Sequence, residues 1–434
     1  MLPLWPEHPG ARGPSLPLRV SARVPEHATE PAVSAVSDQP DPPLSPHAAW
    51  PAEPLRDWAE QVRAAAAQGH RLRLRGGGSK DHLGRAPADD GRTEHELDTR
   101  TWHGIVAHEP SELVVRVRCG TPITELEAAL AAHGQALAFE PPRYDGGATQ
   151  RSAPTVGGMV AAGLSGPARA QRGAVRDHLL GCALINGQGQ MLRFGGAVMK
   201  NVAGFDLTRL MAGSMGTLGL LTEVTLKVLP EPVVRATMRF ELTEEEALLQ
   251  VNLWAAQPLP IEASAWWDGL LVVRLAGARA AVVQAVQGLY RERRGELLPP
   301  PVAEAFWRGV RDHSDEFFVR ARAAVAAAGQ AGVTLWRLSV PATTPPLALH
   351  GEQLTEWLGA LRWVCTPAPA AAIHALMARV GGQAQPWHRA PGQPWSLSPA
   401  AASTWRLQQA VQRAFDPSGV FNTDRTGCQH MASH

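Results

Sequence analysis

Between Pro154 and Pro230 the chain carries its glycines in clusters, each set against a short apolar run: PTVGGMVAAGLSG, HLLGCALINGQGQ, LRFGGAVMKNVAG and MAGSMGTLGLLTEV. Glycine lacks a Cβ and reaches positive φ at little cost. Repeated clusters of this kind let backbone lie close to a large, flat, anionic ligand. An earlier stretch has the same character. Arg71–Arg75 (RLRLR) alternates with period two, as a strand does, and runs into Gly76-Gly77-Gly78-Ser79-Lys80. A strand, a glycine loop and a downstream helix are what a phosphate cradle requires. Alone, GGGSK also reads as a flexible surface turn; the second glycine region weighs toward the cradle.

A chain of 434 residues is long enough for two domains and a large core. Charged residues make up 19% and the net charge is +1, which gives no reason to expect nucleic acid or an anionic membrane as partner. Cys119, Cys182, Cys365 and Cys428 are far apart with no C-x-x-C. An iron–sulfur cluster or structural zinc held by this chain alone is not expected, and buried free thiols in a reducing, cytoplasmic setting are. No run of 18 apolar residues occurs, so no transmembrane helix is predicted, and the start of the chain lacks a secretory pattern.

Residues 1–53 form a proline-rich extension with no apolar periodicity, expected to be disordered. Order is expected from Leu55, where Leu55, Trp58, Val62 and Ala66 recur at helical spacing before Gly69. Leu113–Arg118 reads as a strand and Ile123–Ala132 as a helix with Thr121 as N-cap and Pro122 at N1. Strands are expected over Leu179–Ile185, Gln190–Phe194 and Leu218–Leu229, with Gly187-Gln188-Gly189 as a hairpin turn. After Pro230-Glu231-Pro232 the composition changes. Strand-like runs (Leu270–Leu275, Leu335–Val340) then alternate with helix-like ones (Ala278–Arg293, Pro301–Val310), and a last helix is expected beyond Pro399.

A nicotinamide site would need G-x-G-x-x-G between a strand and a helix. Gly213, Gly216 and Gly219 lack the first tight pair, and Gly187 and Gly189 sit between two strands. The chain instead resembles the PCMH-type FAD-binding family of vanillyl-alcohol-oxidase-like flavoproteins. In GGMVAAGLSGPAR, AVRDHLLG, FGGAVMKNVAGFDLTRLMAGS and LGLLTEVTLKVLP it is similar, within that family, to the E subunits of bacterial glycolate oxidases. The C-terminal DPSGVFN resembles the family's closing signature, although Thr423-Asp424 stands where Pro-Gly is usual. The resemblance spans about residue 54 to Arg425.

What the resemblance implies is an α+β chain. A two-lobed PCMH-type FAD-binding domain (54–231) is followed by an α+β cap domain (232–398), and a C-terminal helix and tail (399–434) return to the flavin domain. The implied cofactor is FAD. Gly76, Gly77, Gly78, Ser79 and Lys80 form the first pyrophosphate loop. Thr155, Gly157 and Gly158 open the second glycine segment, with Ala162, Gly163, Ser165 and Gly166 along it. Gly219, Leu220 and Leu221 lie beside the adenine, and Lys200 and Gly204 stand on the flavin pocket wall. GGGSK holds no His or Cys for covalent attachment, so the flavin is expected to dissociate, and His103 downstream is read as a surface histidine. The implied partners are a catalytic flavin subunit and an iron–sulfur subunit acting on a small 2-hydroxy acid. Through them the chain would associate peripherally with the inner face of the cytoplasmic membrane.

Related subunits that oxidise 2-hydroxy acids carry a metal-binding His cluster in the cap. Here His350, His374 and His388 are unpaired at i+3 or i+4, so no metal is expected and the catalytic residues stay unassigned. Arg389 and Arg425 are candidate anion anchors. Two other readings stay open: a stand-alone D-2-hydroxy-acid dehydrogenase, and a flavin-free scaffold.

Overall fold

The computed structural model describes residues 53–85, 91–144, 153–196, 206–329, 332–390, 393, 395, 397–398, 402–422 and 425. The N-terminal extension up to residue 52, Lys200, Gly204, Thr423-Asp424 and Cys428 lie outside the described residues. The described chain folds as two compact units. One comprises residues 53–165, 173–231 and 402–425, the other 166–172 and 232–398.

In the first unit the helix Glu53–Gln68 buries Leu55, Trp58, Ala59, Val62 and Ala65, and stops at Gly69 with φ 69°. The strand Arg71–Arg75 follows and pairs in parallel with Glu94–Asp98. This register sets Arg71 opposite Glu94, Arg73 opposite Glu96 and Arg75 opposite Asp98. Opposite charges therefore face each other along one side, while Leu72 and Leu97 enter the core on the other. Turns, not a helix, follow Gly76–Lys80, and the next element is that second strand. The expected downstream helix is absent among the described residues.

A five-stranded antiparallel sheet runs in the order Ile105–Glu109, Val114–Arg118, Leu220–Lys227, Leu179–Ile185, Met191–Gly195. Val115, Val117, Leu184 and Val224 from it meet Ile123, Leu126, Met159 and Val160 from two helices in one core. The four expected strands are found within a residue or two, the last divided into Leu220–Lys227 and Leu229–Pro230. One cap differs. Pro122, with φ −59° and ψ 138°, is itself the N-cap of the helix Ile123–Ala131. Thr121 lies one residue too early to cap, and its hydroxyl accepts instead from Gly104 N at 2.8 Å.

The C-terminal helix Ala402–Phe415 leads into a knot of backbone bonds. The Asp416 carboxylate accepts from Val420 N (2.9 Å) and Phe421 N (2.8 Å). Leu72 N donates to Val420 O at 2.8 Å, so the tail lies beside the RLRLR strand.

The second unit is an eight-stranded antiparallel sheet. Its order is Glu296–Leu297, Val234–Glu241, Leu270–Gly277, Ile261–Trp267, Glu352–Glu356, Leu361–Thr366, Thr334–Ser339, Gln383–Arg389. Helices Glu244–Ala255, Arg279–Glu292, Pro300–Asp312, Glu316–Ala328 and Ala370–Val380 accompany it. The first begins with a capping box, in which Thr243 and Glu246 satisfy each other's backbone amides. Glu262 is buried at 4% exposure among three guanidiniums, from Arg274 (2.7 Å), Arg235 (3.1 Å) and Arg172 (3.2 Å). Burial alone would raise its pKa, but Arg274, Arg235 and Arg172 together hold it below the ordinary glutamate value. Residues 166–172 are tied into this unit by Arg172 and by Trp357 Nε1, which donates to Gly166 O at 3.0 Å.

Candidate cofactor site

The end of the RLRLR strand, the N-terminus of the helix Val156–Ala162, the 215–221 turn and the C-terminal tail converge on one cleft of about 780 Å³ that opens to solvent. Its lining includes Gly76, Gly77, Gly78, Ser79 and Lys80, then Thr155, Gly157, Gly158 and Ala162, and finally Gly219, Leu220 and Leu221. The backbone N–H groups of Gly76, Gly77, Gly78 and Ser79 have no hydrogen-bond partner among the described residues. Four successive donors at the floor of a cleft are what an anion with several oxygens requires.

Each glycine does a different job. A Cβ on Gly76 would collide with Thr155 Oγ1, so Gly76 is what lets the first loop touch the start of the helix. Thr155 caps that helix, accepting from Gly158 N at 3.3 Å. Gly157 donates to Cys119 O at 2.8 Å, and its Cβ would stand 2.8 Å from Cys119 Cβ. Gly157 thus serves packing. Gly158 is exposed in the cleft, and its Cβ would meet only Thr155 Oγ1, at 3.3 Å.

Three expected contacts are turned to other work and do not line the cleft. Gly163 ends the helix in the left-handed region (φ 65°), and its Cβ would lie 2.7 Å from Gly213. Ser165 Oγ accepts from Val175 N at 3.3 Å, and Gly166 O accepts from Trp357.

The cleft's rim is basic. Asp81 is shared by Arg73 (3.1 Å) and Arg75 (2.9 Å), and Asp81 beside Arg75 raises that guanidinium's pKa. Lys80 Nζ sits 5.5 Å from the Tyr144 ring centroid. Arg425 lines the cleft and donates to Asp81 O (2.8 Å) and Leu83 O (2.9 Å). Its guanidinium thus clamps backbone at the position read from sequence as one candidate anion anchor. Arg75 also pairs with Glu96 at 3.1 Å, so the net positive charge of the rim comes from Lys80 and Arg425 added to Arg73 and Arg75 against the Asp81 and Glu96 carboxylates, and it favours a doubly charged pyrophosphate. Cys119 also lines the cleft, but burial pushes its thiol well above the usual range and keeps it protonated.

Cys119, Met215, Gly216 and Asn422 belong to the site without having been marked as such in the sequence. Gly216 and Asn422 left a trace there, in the G-x-x-G-x-x-G run and the closing Phe-Asn. What joins them is a contact across 206 residues, between Gly216 and the Asn422 side chain.

A family model described as an FAD binding domain matches residues 50–195. Glycolate oxidase subunit GlcE of Escherichia coli (strain K12) is 41% identical over 366 residues, covering 84% of this chain and 95% of that protein. The chain belongs to the GlcE family. Glycolate oxidase subunit GlcD of Bacillus subtilis (strain 168) is 35% identical over 108 residues, 24% of this chain and 23% of that one. Among solved structures, an alkyldihydroxyacetonephosphate synthase superposes with a TM-score of 0.58 at 15% identity, covering 83% of this chain and 74% of its own. That likeness shows a common fold. This GlcE-type chain is accordingly an FAD-binding flavoprotein of the oxidoreductase class, with an α+β architecture.

In the sheet unit the three histidines singled out from sequence stand in different settings. His350 is exposed, and His374 meets the Trp336 ring edge-on at 5.8 Å between centroids. Burial pushes His388 down to about 4, with Arg322 adding to the effect, so its ring is neutral at pH 7. Arg389 is half-buried at the end of the Gln383–Arg389 strand, and burial lowers its pKa. Among the described residues no group of three His, Cys, Asp or Glu is placed to hold a metal ion.

Proposed function

We propose that this chain is the FAD-binding subunit of a glycolate oxidase complex that converts glycolate to glyoxylate beside a catalytic flavin subunit and an iron–sulfur subunit. The observation that carries the reading is identity of 41% extending over 95% of a GlcE protein. The cleft supports it. The Gly76–Ser79 amides would receive the FAD pyrophosphate, and exposed Gly158 would let the cofactor lie against the helix start. The backbone of Gly219, Leu220 and Leu221 would flank the adenine, and Lys200 and Gly204 the flavin.

When bound, FAD supplies a two-electron acceptor. The chain's own residues would hold it, with Arg75 and Lys80 offsetting its phosphate charge and the Leu220–Leu221 wall excluding water. Glycolate gives up two electrons and two protons in becoming glyoxylate, so the electrons must leave for a further acceptor. That is the role the iron–sulfur subunit would fill. No helix among the described residues is long and apolar enough to cross a membrane, and peripheral association through the complex fits the proposed assembly.

The scattered settings of His350, His374 and His388 favour an accessory over a self-sufficient dehydrogenase. Dye reduction by glycolate should be weak with this chain alone and strong with the three-subunit complex. It should fall to near background when this chain is omitted. Robust turnover by the isolated chain would overturn the accessory role. Full activity of the complex without it would overturn the assignment. The flavin is held without a covalent bond, since Gly76–Lys80 offers no linking side chain and Cys119 is a protonated, buried thiol. Acid precipitation should therefore leave the yellow colour in the supernatant, and colour in the pellet would show a covalent link.

A further inference from the structure

Asn422 stands where three parts of the cleft meet. Its Oδ1 accepts from Leu74 N at 2.9 Å, at the end of the strand that leads into Gly76. Its Nδ2 donates to Met215 O at 2.9 Å, in the turn that leads to Gly219. Its own backbone N donates to Leu72 O at 3.3 Å. One side-chain amide thus spans from the first glycine loop to the adenine-side turn, and both partners line the cleft with it. Both ends of the carboxamide are engaged, the oxygen as acceptor and the nitrogen as donor, each aimed at a backbone group of opposite kind.

The neighbour that makes room for it is Gly216. Gly216 has φ +76°, and a Cβ there would come within 2.6 Å of Asn422 Nδ2. Behind Asn422, the tail is fixed by the Asp416 carboxylate on the 420 and 421 amides, and ahead of it by Arg425 on Asp81 O and Leu83 O. The staple is therefore braced on both sides. The usual reading of such a tail is that it closes the fold. The contacts here are more specific, because they fix the distance between two backbone segments that both line the cofactor cleft.

We propose that Asn422 is the positioning residue that sets the width of the FAD cleft, holding the Gly76–Ser79 amides at a fixed distance from the Gly219–Leu221 backbone. The proposal rests on FAD occupying this cleft. A ligand that must meet donors on both walls binds only as well as the walls are spaced, so losing the staple weakens binding even in a folded chain.

The test uses apo-protein of the full chain, titrated with FAD by flavin fluorescence, with thermal melting of the apo form measured in parallel. Asn422→Ala should raise the FAD dissociation constant by about tenfold or more. The apo melting temperature should change little, because Asp416 and Arg425 still fix the tail. Gly216→Ala should give a similar loss by displacing the same carboxamide, and the double variant should lose little more than either single one. An unchanged FAD affinity in Asn422→Ala would overturn the proposal. So would additive losses in the double variant, since the two residues would then act separately. Should Asn422→Ala fail to fold, Gly216→Ala alone decides: unchanged affinity overturns the proposal and the expected loss supports it. Wild-type chain that binds no FAD would sink the cofactor reading itself, and that outcome is distinct from a wild type that binds while the variants bind equally well.

Discussion

Gly158→Val should weaken FAD binding roughly a hundredfold and leave the apo-protein folded, whereas Gly157→Val should unfold it. From sequence the two adjacent glycines look equivalent. In the structure, Gly158 is exposed in the cleft, and only Thr155 Oγ1 lies within van der Waals reach of its Cβ position. A valine there adds bulk to the cleft that the Gly76–Ser79 loop also lines. Its cost falls on the ligand: overpacking of about 3 kcal/mol is roughly a hundredfold in Kd. Gly157 instead faces Cys119 backbone and Cβ at 3.0 and 2.8 Å. A side chain at Gly157 must push the helix Val156–Ala162 off the strand end and break the Gly157 N to Cys119 O bond. Flavin content and apo melting temperature, measured on both variants, separate the two effects. Retention of a full flavin complement by folded Gly158→Val would mean that the cofactor does not pass over the helix start.

Glu262→Ala should be the most destabilising single change in the eight-stranded unit. The carboxylate is the anion shared by Arg172, Arg235 and Arg274, of which Arg274 is itself buried. Removing one partner of a buried charge cluster costs about 3–5 kcal/mol, or roughly 10 °C in the melting temperature of a unit this size. Glu262→Gln keeps the shape and should lose less. Its pH dependence has a definite sign. The folded pKa is held below the ordinary glutamate value of 4.5. The carboxylate's contribution is therefore in force above that pH and is lost as pH falls through the folded value. The stability gap between wild type and Glu262→Gln should be widest near neutrality and should close in acid. A gap that is flat with pH would mean that the three arginines do not depend on this charge.

Much of the architecture was legible in the chain. RLRLR, LVVRVR and LLGCALI are strands because alternating or continuous β-branched and aliphatic residues suit a pleated, half-buried surface. Gly69 ends its helix because a left-handed residue was needed there. The family resemblance identified the two glycine regions as one cofactor apparatus, and those regions do line a single cleft.

Local rules failed where a long-range contact decided. Pro122 displaced Thr121 as N-cap because the Thr121 hydroxyl bonds Gly104, a residue 17 positions earlier. Gly163 and Gly166 look like further cofactor glycines, yet one packs on Gly213 and the other bonds Trp357.

The amino-acid sequence by itself determined most of the elements, because periodicity and glycine placement act over a few residues, while the α+β class and the flavin cofactor were legible through the family resemblance that its motifs carry. Tertiary structure alone decided which glycine opens to the cleft and which packs on protein, that Arg425 clamps backbone, and that Asn422 ties Leu74 to Met215. The last two outcomes depend on atoms hundreds of residues apart meeting within 3 Å, and the first on the contact between Gly157 and Cys119; no local pattern encodes such distances.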